Sequence, residues 1–503
     1  MVNLSYSIRF HALRTPDQLA VVYEDQRISY SDLAVRLLHM AGYLQAQGVQ
    51  PNQVVAVVMK NSAAFLEISF AVSHIGAVFL PINFHLAREE IQDILYNSEA
   101  VLLFADSEFA ETVAGLKPTI LLTDDAQRDS RVIAGNAGKP PPVSRRAEDL
   151  FRLMYTSGTT DRPKGVMHTY QNFYWKCWDH ISGLNITADD RMLVVGPLYH
   201  VGAFDCGGVA VFLQGGMMNV LRNFDPDEIL ATIERERLTC SWMAPVMIGR
   251  ILACENRHRF DVSSFKWCIA GGERTPESRI ALFKKMFING RYIDAYGLTE
   301  TCGGDTLMEP GMEFAKLGSA GRAVAHVEIS ICDEMGDEVA TGFDGEICLR
   351  GPKVTQGYWR EEEKTKKSFF GEWFRTGDIG RLDQDGFLYL TDRLKDIIIT
   401  GGENVASSEV ERVIYLLPQV ADAAVIGFPD ERWGERVVAA IELAPGQTLE
   451  LEELVRHCRQ FLAGFKVPKD MVILNTLPRN PSGKVLKRAI REDLSFRSSH
   501  TTS

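Results

Sequence analysis

From Tyr155 to Gly165 the chain runs Tyr-Thr-Ser-Gly-Thr-Thr-Asp-Arg-Pro-Lys-Gly, directly after the apolar Leu153-Met154. Four hydroxyls (Thr156, Ser157, Thr159, Thr160), Gly158, Gly165 and Lys164 fall within eleven residues. Glycines let backbone approach an anion closely, hydroxyls and amides donate to its oxygens, and a lysine adds a mobile charge. Such a loop suits a polyphosphate, although the same residues also make ordinary polar turns. It is not a Walker A loop, because Pro163 rather than glycine precedes the lysine and Gly165 rather than Ser or Thr follows it.

Three further clusters carry chemistry. Ala270-Gly271-Gly272-Glu273 precedes Asp294-Ala295-Tyr296-Gly297-Leu298-Thr299-Glu300. Paired glycines admit a flat ring against backbone, Tyr296 offers a face to stack on it, and Thr299 with Glu300 suits a magnesium–phosphate pair. Phe374-Arg375-Thr376-Gly377-Asp378 places a carboxylate able to grip vicinal hydroxyls, and Asp385-Gly386 reads as a hairpin turn. Near the C-terminus, Pro478 to Lys484 is a Pro/Gly-rich loop presenting a lysine. Taken singly, each has a bland reading: a core tyrosine, a helix-cap glutamate, a turn aspartate, a solvated lysine.

The elements that must position these clusters alternate. Val54–Met59, Val101–Phe104, Thr119–Leu122, Met192–Val195 and Trp267–Ala270 read as buried strands. Helical spacing lies between them, as at Ala63–His74 and Asp227–Glu234. That order predicts α/β layers with parallel strands. The segment 135–145 reads as an exposed loop and Phe496–Ser503 as a frayed end.

With 503 residues, 46% hydrophobic and 24% charged, the chain can fill two or more domains. A formal charge of −12 argues against a nucleic-acid partner. Nine cysteines without a CxxC pair suggest neither a disulfide framework nor a structural zinc site. The N-terminal residues lack a signal-peptide apolar core, and Glu67 and His74 interrupt the most apolar segment. The expectation is a cytoplasmic protein without a transmembrane segment.

Together SGTTxxPKG, YGLTE, FRTGD, DRLKD, GGENV and PxxxSGK resemble the adenylate-forming superfamily of acyl-CoA synthetases, over about Pro16 to Lys487. The match looks closest to the fatty- and aryl-acid CoA ligases. The resemblance implies an α/β fold: a large N-terminal domain (1–393) of layered, mostly parallel sheets and helices, and a small mobile C-terminal α+β domain (394–503), hinged at Lys395. It implies ATP, Mg2+ and coenzyme A as co-substrates and cofactor, and a small carboxylic acid as substrate. A homodimer is left open.

By the same resemblance, Thr156 to Thr160 and Lys164 hold the β- and γ-phosphates, Thr299 meets the α-phosphate and Glu300 holds the metal. Gly272, Glu273 and Tyr296 take the adenine, and Asp378 and Arg393 the ribose. Lys484 bridges carboxylate and phosphate, while Gly401, Gly402 and Glu403 approach the pantetheine of CoA in a second domain arrangement. His200 matches an aromatic gate, counted with the catalytic residues. The acid pocket is expected among Tyr199, Val201, Phe204, Trp242, Ala270, Gly271, Gly297, Gly303 and Gly304. Acetate-specific relatives carry tryptophan at the place of Gly297, so the floor is expected to be open here. His200 is the one basic residue of this set, which argues against a second carboxylate on the substrate. A medium-to-long-chain fatty acid is the first expectation. The alternatives are an aryl or cinnamic-type acid, or an enzyme that loads a carrier-protein thiol. One departure from the family pattern lies in the phosphate loop, where Asp161 stands in place of a usual glycine.

Overall fold

The structure is a computed structural model that describes residues 3–156, 163–271, 275, 277–393, 396, 398–400, 403–430, 432–479 and 485–500. Chain contacts divide it into two units. The first comprises Met1–Gly272, Arg279–Glu328 and Leu349–Phe374; the second comprises Glu273–Ser278, Ile329–Cys348 and Arg375–Ser503.

Two large sheets dominate the first unit. Counted over the described residues, one has six strands, and all its pairings are parallel except the last, between Leu150–Thr156 and Lys164–Thr169. The other has nine strands, six of them parallel in its middle, with antiparallel strands at both edges. Parallel strands need both faces covered, which is why Val54–Val58, five β-branched or small residues, is buried at every position. The expected strands all form, at Leu102–Asp106, Thr119–Leu122, Arg191–Val194 and Trp267–Gly271 besides Val54–Val58. The two expected helices form at Ala63–His74 and Pro226–Glu236.

Ser62 caps the first of these helices by accepting from the Phe65 amide, and all twelve of its residues are buried. Its polar members are satisfied within the protein. Glu67 meets Arg36 at 3.3 Å and accepts from the Ser130 amide at 2.9 Å, while His74 pairs with Ser5 Oγ and the Pro140 carbonyl. Among the described residues no helix is long and apolar enough to cross a membrane. The segment 135–145 has no helix or strand and is exposed at most of its positions, as expected. The loop is tied down, with Gly138 backbone seated on Gly42 and Arg145 buried.

Trp373–Leu382, which enters the second unit at Arg375, and Leu388–Arg393 form a hairpin, turning at Asp383 to Gly386, where Gly386 has φ of 80°. Farther on, Val420–Asp430 and Gly434–Leu443 pair antiparallel, and Asp470–Ile473 joins them in parallel. Helices Ser407–Ile414 and Leu451–Cys458 pack their apolar stripes on one face, through Val410, Val413, Ile414 and Leu454. The C-terminal helix runs from Lys487 to His500 rather than fraying at Phe496, anchored by Ile490 and Leu494 on the opposite face of the sheet. The α/β class with a larger and a smaller part is therefore as expected.

Candidate active site

The phosphate-loop candidate connects two paired antiparallel strands, Leu150–Thr156 and Lys164–Thr169. Thr156 and Lys164 stand directly opposite each other at its mouth, with Tyr155 opposite Gly165. Ser157, Gly158, Thr159, Thr160 and Asp161 lie outside the described residues. Among the described residues Thr156 Oγ1 is buried without a hydrogen-bond partner, at the loop's entrance.

Lys164 Nζ lies 2.9 Å from Glu300 Oε1 and donates to Tyr358 Oη at 2.7 Å. Tyr358 Oη in turn donates to the same Glu300 oxygen at 2.8 Å. The ammonium also sits over the Tyr358 ring, 4.2 Å from its centroid. Burial, followed by the Glu300 charge, pushes the Tyr358 phenol far above its ordinary range and keeps it a donor. Loop and glutamate are thus brought together, and Tyr358 is a third member that motif reading passed over.

A buried chain of polar groups lies behind Thr299. His168 Nε2 bonds the Thr299 carbonyl at 2.6 Å, and its Nδ1 accepts from Arg152 Nε at 3.1 Å and Nη2 at 2.9 Å. Because Nδ1 must accept, the ring proton sits on Nε2 and is donated to the carbonyl. Arg152 forks onto Asp205, with Nη1 at 2.9 Å from Oδ1 and Nη2 on Oδ2. Phe151, Phe173 and Phe204 surround the guanidinium. Burial first, then the neighbouring arginine charge, holds the His168 pKa well below its usual value. A visible signal for this chain was Arg152 itself, a charged residue inside the apolar strand Leu150–Thr156.

Strands Trp267–Gly271 and Arg291–Tyr296 pair in parallel, with Gly271 beside Ala295. They end together at the carboxyl edge, where open α/β sheets bind ligands. Tyr296 is buried there; Gly272 and Glu273 lie outside the described residues. In the second unit Asp378 and Arg393 stand opposite each other on adjacent strands, Asp378 being buried. Glu403 is exposed and opens the strand Glu403–Val405. Lys395, Gly401, Gly402 and Lys484 lie outside the described residues.

The acid-pocket candidates divide. His200 caps the helix Val201–Phe204, its Nδ1 accepting from the Gly202 amide at 3.0 Å. Burial lowers its pKa to about 4, so the ring is neutral with its proton on Nε2. Its ring lies 5.9 Å from that of Trp242, which presses on Gly196 and Gly202; a Cβ at Gly202 would meet it at 2.3 Å. Val201 stands beside Gly303, and Ala270 beside Asp294. Tyr199 is buried with its hydroxyl unpartnered, its ring against Phe84. Phe204, by contrast, belongs to the core. Its ring packs with Phe65, Phe79 and Phe173.

Gly297 corrects the expectation of an open floor. A Cβ there would stand 2.3 Å from the Gly304 amide nitrogen and 2.9 Å from the Gly303 carbonyl carbon. The absent side chain is replaced by backbone, not by space. Cys302, Gly303 and Gly304 run through three successive positive-φ positions (57°, 76° and 62°). Lys353, fully buried, clamps this turn: its Nζ donates to the Gly303 and Gly304 carbonyls at 3.1 and 2.6 Å and pairs with Asp305 at 3.0 Å. Gly297→Ala should therefore lower the melting temperature, at a cost of about 1–3 kcal/mol from overpacking, as thermal unfolding would read. An unchanged melting temperature would mean that the turn gives way freely.

A magnesium ion fits this donor set. Glu300 Oε2 has no partner among the described residues, and magnesium characteristically takes one or two carboxylates with phosphate oxygens for the rest. Bound there, it would neutralise charge on the phosphate oxygens.

Comparison with known proteins agrees with this arrangement. The family model for AMP-binding enzyme matches residues 8–359, and that for the AMP-binding enzyme C-terminal domain matches 409–484. The chain is 36% identical to a feruloyl-CoA synthase of Amycolatopsis sp, over 97% of this chain and 98% of that one. It is 33% identical to the long-chain-fatty-acid–CoA ligase FadD13 of Mycobacterium tuberculosis, over 98% and 99%. Among solved structures, ATP-bound MatB from Rhodopseudomonas palustris superposes with a TM-score of 0.90 at 30% identity, covering 98% of each chain. The Bacillus subtilis o-succinylbenzoate-CoA synthetase in complex with its acyl-adenylate gives 0.87 at 30% identity, covering 96% and 97%. With two family models spanning most of its length, and a lysine and a glutamate meeting at the mouth of a hydroxyl-rich hairpin, this chain belongs to the AMP-binding enzyme family.

Proposed function

We propose that this AMP-forming acid–thiol ligase activates an aryl or otherwise oxygenated carboxylic acid with ATP and transfers the acyl group to coenzyme A. The observation that carries the first half is the Lys164–Glu300–Tyr358 cluster at the mouth of the hairpin. In that half the acid's carboxylate oxygen bonds to the α-phosphorus as the bond to the β-phosphate bridge breaks, releasing pyrophosphate. Lys164, Thr156 and the loop after it position the β- and γ-phosphates, Thr299 the α-phosphate, and Glu300 the magnesium. Tyr296 stacks on the adenine, Asp378 and Arg393 hold the ribose, and Lys484 bridges carboxylate and phosphate. Such catalysis rests on positioning and neutralised charge. In the second half the CoA sulfur bonds to the acyl carbon, the carbon–oxygen bond to AMP breaks, and the thiol proton leaves to solvent. Rotation about Lys395 exchanges Lys484 for Gly401, Gly402 and Glu403 between the halves.

The preference for an oxygenated acid over a plain fatty chain is supported by the likeness to a feruloyl-CoA synthase and by the polar side chains of Cys206 and His180 beside Gly303 and Gly304. A fatty acid is the second reading, favoured by the likeness to FadD13. Pyrophosphate release with ATP and magnesium, over acids from acetate through long-chain fatty acids to cinnamates, tests both. The expected result is catalytic release only when CoA is present, with cinnamates ahead of alkanoates. Release that stops near one equivalent despite CoA would assign the acceptor to a carrier-protein thiol instead.

A further inference from the structure

Lys176 lies on the helix Tyr170–Leu184 and is fully buried, yet among the described residues its Nζ has no hydrogen-bond partner, only the Phe173 ring with its centroid 5.5 Å away. No ion pair reaches it among the described residues. The other buried cations of this neighbourhood are matched: Arg152 to Asp205 and Lys353 to Asp305. Asp179, one turn further along the same helix, accepts at Oδ1 from His326 Nδ1 at 2.6 Å. A lysine donates three hydrogen bonds and accepts none, so an unpartnered buried Nζ is a costly group to retain. Such a cost is characteristic of sites that wait for a ligand.

Its surroundings say which ligand. His180 follows Lys176 by four residues on the same helix, so the two side chains share a face. Cys206 Sγ would be 3.1 Å from a Cβ at Gly303, where Val201 is the next neighbour, and His180 Nε2 would be 2.2 Å from one at Gly304. His180 Nδ1 accepts from the Gly207 amide at 3.2 Å, which leaves its proton on Nε2, turned toward Gly304. The wall is therefore rich in donors: a lysine ammonium, an imidazole N–H and thiols. The Gly303 and Gly304 carbonyls, its nearest acceptors, are already taken by Lys353.

We propose that Lys176 is a specificity residue that donates to an oxygen at the distal end of the acid (a phenolic hydroxyl, a keto group or a second carboxylate). The inference rests on the proposed acid pocket beside Val201, Gly303 and Gly304. It reverses the expectation that no basic residue other than His200 serves the pocket. A plain alkyl chain would leave the lysine unsatisfied, and sites built to hydrogen-bond a substrate oxygen discriminate strongly against analogues that lack it.

The test compares cinnamate with 4-hydroxycinnamate and 4-carboxycinnamate in the parent enzyme and in Lys176→Met. The parent is expected to favour at least one oxygenated acid by about tenfold or more in kcat/KM. In Lys176→Met that ratio should collapse toward one. A loss that lowers all three acids together and keeps the ratio would mark Lys176 as merely structural and overturn the proposal. Melting of the acid-free proteins gives an independent reading. Removing a buried donor without a partner should hold or raise the melting temperature, whereas a clear fall would show that Lys176 has a structural partner and sink the idea. A parent enzyme that turns over all three acids alike defeats this inference and leaves the ligase reading standing. Failure to turn over any acid defeats both.

Discussion

Glu300→Gln is expected to fold and melt close to the parent protein while losing about 10²- to 10³-fold in pyrophosphate release. Glutamine keeps the shape of the side chain and the acceptor oxygen that Lys164 and Tyr358 share. The backbone contact that fixes the residue, the Thr355 amide on the Glu300 carbonyl at 2.7 Å, does not involve the side chain. What is lost is the charge. In the absence of nucleotide the carboxylate offsets Lys164 at 2.9 Å; Glu300 is buried, but the Lys164 side chain is 20% exposed and keeps access to water once the carboxylate charge is gone. With nucleotide, Lys164 turns to phosphate, and the Glu300 carboxylate is left to hold a magnesium ion. Two readouts separate this role from a general defect. Pyrophosphate release should need more magnesium, while conversion of supplied acyl-AMP and CoA to product should stay within a few-fold of the parent. Equal loss in both half-reactions would remove Glu300 from the adenylating role.

The fold was legible because apolar β-branched runs and helical spacing alternate without interruption, so Val54–Val58 and Ala63–His74 appear almost where their residues predict them. The site was legible where residue type and chain order suffice. Lys164 and Glu300 come from separate motifs and meet: Lys164 opens the strand Lys164–Thr169, and Glu300 sits in the short helical turn Thr299–Thr301 that follows the strand Arg291–Tyr296. Shape was harder to read. Gly297 has no side chain, but the sequence does not say which neighbour occupies the vacated direction, and here Gly303 and Gly304 do. Phe204 follows the pocket residues in order, yet one turn of helix carries its ring into the core with Phe65 and Phe79. Tyr358 was missed because a Gly-Tyr-Trp stretch carries no catalytic signature of its own. Lys176 belongs to no motif, and its burial comes from packing that residue type and order do not disclose.

Arg152→Met should be the most damaging single change to stability, at about 3–5 kcal/mol, because it strands the Asp205 carboxylate in a closed interior. Arg152→Met/Asp205→Asn removes the stranded charge and should recover more than half of that loss in thermal or urea unfolding. The recovered double variant then exposes what the arginine does beyond packing. Without a donor at Nδ1, His168 is free to move its proton to that atom, and the Thr299 carbonyl loses its fixed hydrogen bond. Thr299 carries the turn that aims Glu300 at Lys164, so slack there should reach the phosphate site. The expected signature is a fall of about tenfold in kcat for pyrophosphate release, with the KM of the acid little changed and acyl-AMP conversion by CoA retained. A double variant that regains stability and full kcat together would confine the buried Asp205–Arg152–His168 chain to holding the sheet. Stability regained without kcat would show that the same three residues hold the turn on which adenylation depends.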